Sequence, residues 1–124
     1  MVDHVSILLK KLKLKFRIVK LCGGDLGHTS ALTYDFEVYA EAQEKWLEVS
    51  SVSNFETYQS NRLNLKFVDN NKKNVLCHTL NGSALALPRI MAAIIENNQT
   101  KDGILIPKAL SQYVPFNKIT NIKL

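Results

Sequence analysis

Cysteine, proline, tryptophan and arginine are all scarce in these 124 residues: two, three, one and three copies respectively. Cys22 and Cys77 lie 55 residues apart, and neither belongs to a C-x-x-C pair. That excludes a disulfide framework and fits a reducing, cytoplasmic setting. His4, His28 and His78 do not combine with the cysteines at any common zinc-site spacing. No apolar run approaches the ~20 residues needed to cross a bilayer, and mean hydropathy is −0.07. The opening Met1-Val2-Asp3-His4 lacks a basic region followed by an apolar stretch, so export is not expected. What remains is 46% apolar and 22% charged, the balance of one globular domain.

Charge is present in excess of one sign and is unevenly placed. Sixteen basic against eleven acidic residues give +5. Residues 1–20 carry six positive and one negative charge, residues 21–60 one and seven, and residues 61–124 nine and three. An acidic centre between basic ends suits a polyanionic ligand, with a metal at the carboxylates. A solvated lysine surface gives the same totals.

Periodicity places the elements. Val5, Leu8, Leu9 and Leu12 recur at helical spacing and predict a helix over residues 2–13. Residues 16–22 alternate as a strand, which Gly23-Gly24-Asp25-Leu26-Gly27 ends. Residues 33–39 and 45–52 read as a hairpin, with Tyr34, Phe36 and Val38 on one face and Thr33, Asp35 and Glu37 on the other. A helical turn or two is expected around residues 56–60, then strands over 63–67 and 75–80, separated by a turn over 69–74. Asn81-Gly82-Ser83 should break the second of these and lead into a helix over residues 86–98, whose start Pro88 marks. Its apolar face would hold Leu87, Ile90, Met91, Ile94 and Ile95. Residues 104–107 read as extended, 108–113 as a last helical turn, and the tail after Phe116 as loose. The fold class expected is α+β, an antiparallel sheet flanked by helices.

Two features carry chemistry. The strand, the turn Asn81-Gly82-Ser83 and the helix bearing Arg89 form a strand–turn–helix unit suited to anions, with a planar cation in the helix's first turn. The same unit serves equally as a loop packed on a sheet with Arg89 in a surface ion pair. Glu48-Val49-Ser50-Ser51 sets a carboxylate beside hydroxyls, a donor set for Mg2+; plain strand alternation explains it as well. In a strict strand Glu48 and Ser51 face opposite ways, so a shared ion requires a bend or bulge between them.

Four blocks resemble, in order, the C-terminal half of the catalytic domain of the seryl-tRNA synthetases. They are residues 21–27 (Leu-Cys-Gly-Gly-Asp-Leu-Gly), residues 33–39 (Thr-Tyr-Asp-Phe-Glu-Val-Tyr), residues 48–55 (Glu-Val-Ser-Ser-Val-Ser-Asn-Phe) and residues 78–89, His-Thr-Leu-Asn-Gly-Ser-Ala-Leu-Ala-Leu-Pro-Arg. The last resembles motif 3 of the class II aminoacyl-tRNA synthetases, and the likeness runs from about Val2 to Val114. It implies a ligase that joins L-serine to tRNA(Ser) through a seryl-adenylate, using ATP and Mg2+, as a homodimer. By the same likeness Arg89 is the catalytic arginine on ATP phosphate, and Glu48, Val49, Ser50 and Ser51 contact ATP. Glu48 and Ser51 hold the metal, and Asn81 and Ser83 lie beside the serine. Ala84, Ala86 and Pro88 stand where many motif 3 sequences have glycine.

The tRNA-binding coiled coil, motif 1 and motif 2 have no counterpart here. Residues 1–124 are therefore expected to be a C-terminal piece of such a catalytic domain, inactive or nearly so alone and prone to self-association through unpaired sheet edges. The alternative is a non-catalytic RNA-binding or interaction module with the same fold. Scattered lysines without interleaved aromatics lean against it. The ligase reading further expects Glu48 and Arg89 on opposite sides of a triphosphate-sized hollow.

Overall fold

The structure, a computed structural model, describes residues 1–120. Helix α1 (Val2–Lys11) carries Asp3 in its first turn and Lys10 and Lys11 in its last, which complements the helix dipole. Val5 and Leu9, one turn apart, are its buried residues. A left-handed residue, Lys13, reverses the chain into strand β1 (Phe16–Lys20). Strands β2 (Leu32–Ala40) and β3 (Lys45–Glu56) form the hairpin. Helix α2 (Tyr58–Leu63) follows, then strands β4 (Lys66–Val68), β5 (Asn74–Leu76) and β6 (Thr79–Gly82), and helix α3 (Leu87–Asn97). Strands β7 (Gln99–Thr100), β8 (Gly103–Leu105) and β9 (Lys118–Ile119) end the described chain.

The main sheet is antiparallel throughout, in the order β1-β2-β3-β6. One face holds Phe36 and Val38, both fully buried, in one cluster with Val5 and Leu9 of α1 and Ile90, Ala93 and Ile94 of α3. Both long helices thus lie on this face. Pro88 sits in the first turn of α3, where its missing N–H costs nothing. At the other end Asn97 donates to the Tyr39 carbonyl (2.7 Å) and accepts from the Glu41 N–H (3.0 Å), fastening α3 to the end of β2. Of the apolar face expected on α3, Leu87 and Met91 remain exposed, and Ala93 packs in the core. No described helix is long and apolar enough to cross a membrane.

The α+β architecture matches the sequence pattern, and the Asp69–Asn74 turn forms as read: Asp69 Oδ1 accepts from the N–H groups of Asn71 and Lys73. Several boundaries differ. The single strand expected over 75–80 is two strands in different sheets, because β5 pairs with β4 while β6 pairs with β3. Asn81 and Gly82 do not break a strand; they pair with Ser53 and Val52, and that ladder satisfies backbone groups a turn would leave open. Leu63 ends α2 rather than starting a strand. The tail is ordered as far as β9, which pairs with β8; its last residues, 121–124, lie outside the described ones. Gly103 is required there: at φ +130° a Cβ would stand 2.2 Å from the Ile119 carbonyl oxygen.

Candidate functional site

The ladder between β2 and β3 decides which way the Glu48–Ser51 segment faces. Phe36 pairs with Ser50, but the next pair is Glu37 with Glu48, so Val49 is an extra residue. This is a β-bulge, and it resets the alternation. Partners directly opposite in an antiparallel pair share a face. Glu48 therefore faces with Glu37, and Ser51 with Asp35. Asp35 and Glu37 lie two apart on β2, so Glu48 and Ser51 share one face, opposite Phe36 and Val38. The bend that a shared ion requires is present.

That polar face continues across the sheet. Thr33 and Ser53, paired, join their hydroxyls at 2.7 Å, and Asn81 of β6 pairs with Ser53. On the β1 side Arg17 pairs with Glu37 along the ladder and forms an ion pair with it, its guanidinium 4.5 Å from the Trp46 ring centroid. Asp35, Glu37 and Arg17 were not singled out from the sequence. The alternation of residues 33–39 already set Asp35 and Glu37 apart from the core face, and that was the available signal.

The segment after β6 is fastened along β3 beside the bulge. The Ser83 N–H donates to the Ser51 carbonyl (3.3 Å), the Ala86 N–H to the Val49 carbonyl (2.7 Å) and Arg89 Nη1 to the Glu48 carbonyl (2.7 Å). Ser50, almost wholly buried, donates its hydroxyl to the Ser83 carbonyl. Those bonds aim the first turn of α3, and so Arg89, at the bulge. Val49 and Ser50 thus turn inward: the Val49 side chain is part of the core and the Ser50 hydroxyl holds the loop. Asn81 and Ser83 are exposed.

The expectation that Arg89 and Glu48 face each other across a hollow is not met. They touch: Arg89 Nη1 stands 3.9 Å from Glu48 Oε2, and the two side chains are 53% and 48% exposed. The pair therefore lies open to solvent, where an ion pair contributes little to stability. A guanidinium has five N–H donors, and few of them are engaged here. The neighbouring oxygen atoms are of the kind that a divalent cation takes. The Glu48 carboxylate and Ser51 hydroxyl share a face, and Asp35, paired with Ser51, has a buried Oδ1 with no partner among the described residues. Such an all-oxygen set is what a hard ion prefers.

The family model for the class II tRNA synthetase core domain (G, H, P, S and T) matches residues 1–98. The serine–tRNA ligase of Methylacidiphilum infernorum is 50% identical over 114 residues, which are 91% of this chain and 27% of that protein. The serine–tRNA ligase of Akkermansia muciniphila is 51% identical over 112 residues, 90% of this chain and 26% of that one. The chain thus spans about a quarter of the length of these relatives. Among solved structures, seryl-tRNA synthetase from Pyrococcus horikoshii complexed with ATP superposes with a TM-score of 0.93 at 38% identity, over 98% of this chain and 28% of that one. The cytoplasmic serine–tRNA ligase of Naegleria fowleri in complex with AMP gives 0.89 at 28% identity, over 100% of this chain and 29% of that one.

Proposed function

Because this chain belongs to the class II tRNA synthetase core family, we propose that it is the motif 3 part of a serine–tRNA ligase. In that reading the whole enzyme activates L-serine with ATP and passes the seryl group to tRNA(Ser) in the cytoplasm, working as a homodimer. The observation that carries the reading is the bulge at Val49, which puts Glu48 and Ser51 on one face beside the Arg89 fork.

Activation joins the serine carboxylate to the α-phosphorus of ATP and releases pyrophosphate. The step needs positioning and charge neutralisation rather than a protein nucleophile. Arg89 exchanges its contact with Glu48 for a phosphate oxygen. Glu48 and Ser51 would hold Mg2+, which would supply charge neutralisation. Asn81 and Ser83 present small polar groups to the serine. Val49 and Ser50 take part through the backbone they position. Since the chain spans about a quarter of the length of its relatives, the isolated chain is proposed to be inactive or nearly so.

The test grafts the full chain in place of the aligned segment of the Methylacidiphilum relative. Serine-dependent ATP–pyrophosphate exchange is expected in the folded chimera. A folded chimera that shows no exchange with serine overturns the proposal.

A further inference from the structure

A row of four charges crosses the sheet beside the first bulge. Arg17 of β1 stands opposite Glu37 of β2, and Glu37 stands opposite Glu48 of β3. Arg89 of α3 closes the row at Glu48. Read across, the order is cation, anion, anion, cation. Directly opposite partners in an antiparallel ladder share a face, and like charges there repel. Asp35, on the same face, makes no ion pair among the described residues. Three carboxylates thus share the face with two arginines.

The two arginines hold their glutamates differently. Arg89 stands 3.9 Å from the Glu48 carboxylate, and its hydrogen bond goes to the Glu48 carbonyl instead. Arg17 is fixed on two sides. Its Nε donates to Glu37 Oε2, and its guanidinium lies 4.5 Å from the Trp46 ring centroid. Trp46 is itself placed by Tyr39, its ladder partner, with ring centroids 5.2 Å apart. A stacked, hydrogen-bonded guanidinium is a preorganised partner for a carboxylate. The Glu37 side chain is 23% exposed and that of Glu48 48%. One carboxylate is clamped and mostly covered, while its neighbour is open and loosely held.

On the ligase reading, which this inference rests on, Arg89 leaves Glu48 for a phosphate oxygen. A free Glu37 carboxylate on the same face would repel that phosphate and attract the cations meant for it. We infer that Arg17 is a positioning residue for ATP: it clamps and neutralises Glu37, so that Glu48 is the one open carboxylate beside the bulge. Arg17 acts through Glu37 and does not itself touch the nucleotide.

That distinction can be measured, because removing Arg17 should move cation and ATP affinity in opposite directions. The full chain is titrated with Mn2+ alone, followed by electron paramagnetic resonance. The chimera supplies KM for ATP and kcat in serine-dependent ATP–pyrophosphate exchange. Arg17→Gln should tighten Mn2+ about threefold and raise KM for ATP about tenfold, with kcat changing much less. Arg17→Gln/Glu37→Gln should bring both values back to within about twofold of the parent, since the face then carries the parent's net charge. Arg17→Lys, which keeps the charge and loses the fork, should fall between the parent and Arg17→Gln. Glu37→Gln alone should weaken Mn2+, which checks the inference even where Arg17→Gln does not fold. Mn2+ and ATP weakening together in Arg17→Gln marks a merely structural role and overturns the inference. A KM as high in the double variant as in the single one means that Arg17 meets the phosphate itself, and overturns it too. So does unchanged Mn2+ affinity or KM in the folded Arg17→Gln protein, or Mn2+ bound no more weakly by folded Glu37→Gln. Any of these results with exchange in the parent chimera sinks the role of Arg17 alone. No exchange in the folded parent chimera sinks the ligase reading, and the ATP role of Arg17 with it.

Discussion

Strand β3 is interrupted twice, and the two bulges do opposite things. At Val49 the extra residue is fully buried, and the carbonyls around it bind the loop that leads into α3. At Phe55, extra between the Asn54–Leu80 and Glu56–Thr79 pairs, the added residue is half-exposed and lines an open cleft. A bulge adds one residue and re-aims its neighbours in both cases. What differs is whether packing claims the extra side chain. Where the core takes it, the neighbouring polar groups are held to a fixed face. Where the core does not, the strand end is left open to solvent.

Deleting each extra residue puts that contrast to its hardest test. Removing Val49 takes away a buried valine, about 1.5–3 kcal/mol. It also loosens hydrogen bonds to the start of α3 at about 1 kcal/mol each. A loss of about 3–5 kcal/mol in urea unfolding is expected. Removing Phe55 exposes less apolar surface and should cost under half as much, leaving the Glu48 end intact. Equal losses would mean that both bulges are held by the core. Next in size is Arg89→Ala in the chimera. Removing a preorganised donor that meets developing charge lowers the rate about 10²–10³-fold, or ~2.7–4 kcal/mol. ATP–pyrophosphate exchange should fall by that amount with folding unchanged, because the Arg89–Glu48 pair is a surface one.

Ser50→Ala acts on the loop rather than on the chemistry. It leaves the Ser83 carbonyl without its hydroxyl donor. The expected cost is about 1 kcal/mol, read from the urea midpoint. A similar loss from an alanine at Ser53, which bonds only sideways to Thr33, would show that the first bulge has no special hold on the loop.

Much of this arrangement could be read in advance where it depended on neighbours in sequence. The alternation in residues 33–39 separated core from polar face, Pro88 fixed a helix start, and Asp69 fixed a turn through its own carboxylate. The bulge at Val49 could only be required, not located, since valine between strand formers carries no mark of being extra. Asn81 and Gly82 have turn composition yet sit in a strand, because their partners lie in β3, nearly thirty residues earlier. The contact of Arg89 with Glu48 spans 41 residues, and nothing local to either residue encodes it. The expected hollow failed for the same reason: the loop bonds that bring Arg89 onto the bulge are long-range ones.

The smallest stability effect belongs to the surface that the first bulge helps to build. The loop fastened at Val49 leads into Leu85 and Leu87, which with Leu8, Leu12, Met91 and Leu110 line an apolar groove of about 400 Å³ between α1 and α3. Leu87 is 74% exposed and Met91 58%. Replacing both with glutamine removes little buried area, so stability should move by no more than about 0.5 kcal/mol. Association is another matter. A contiguous apolar patch of this kind drives self-contact, while the open edge of β1 offers unpaired backbone groups as a rival route. The two routes separate in sedimentation velocity. If the groove governs, the Leu87→Gln/Met91→Gln variant sediments closer to a monomer than the parent chain, and Ile18→Lys on the edge strand changes nothing. The reverse pattern would assign self-association to the sheet edge, and the groove beside the first bulge would then be as inert in solution as an ordinary exposed leucine.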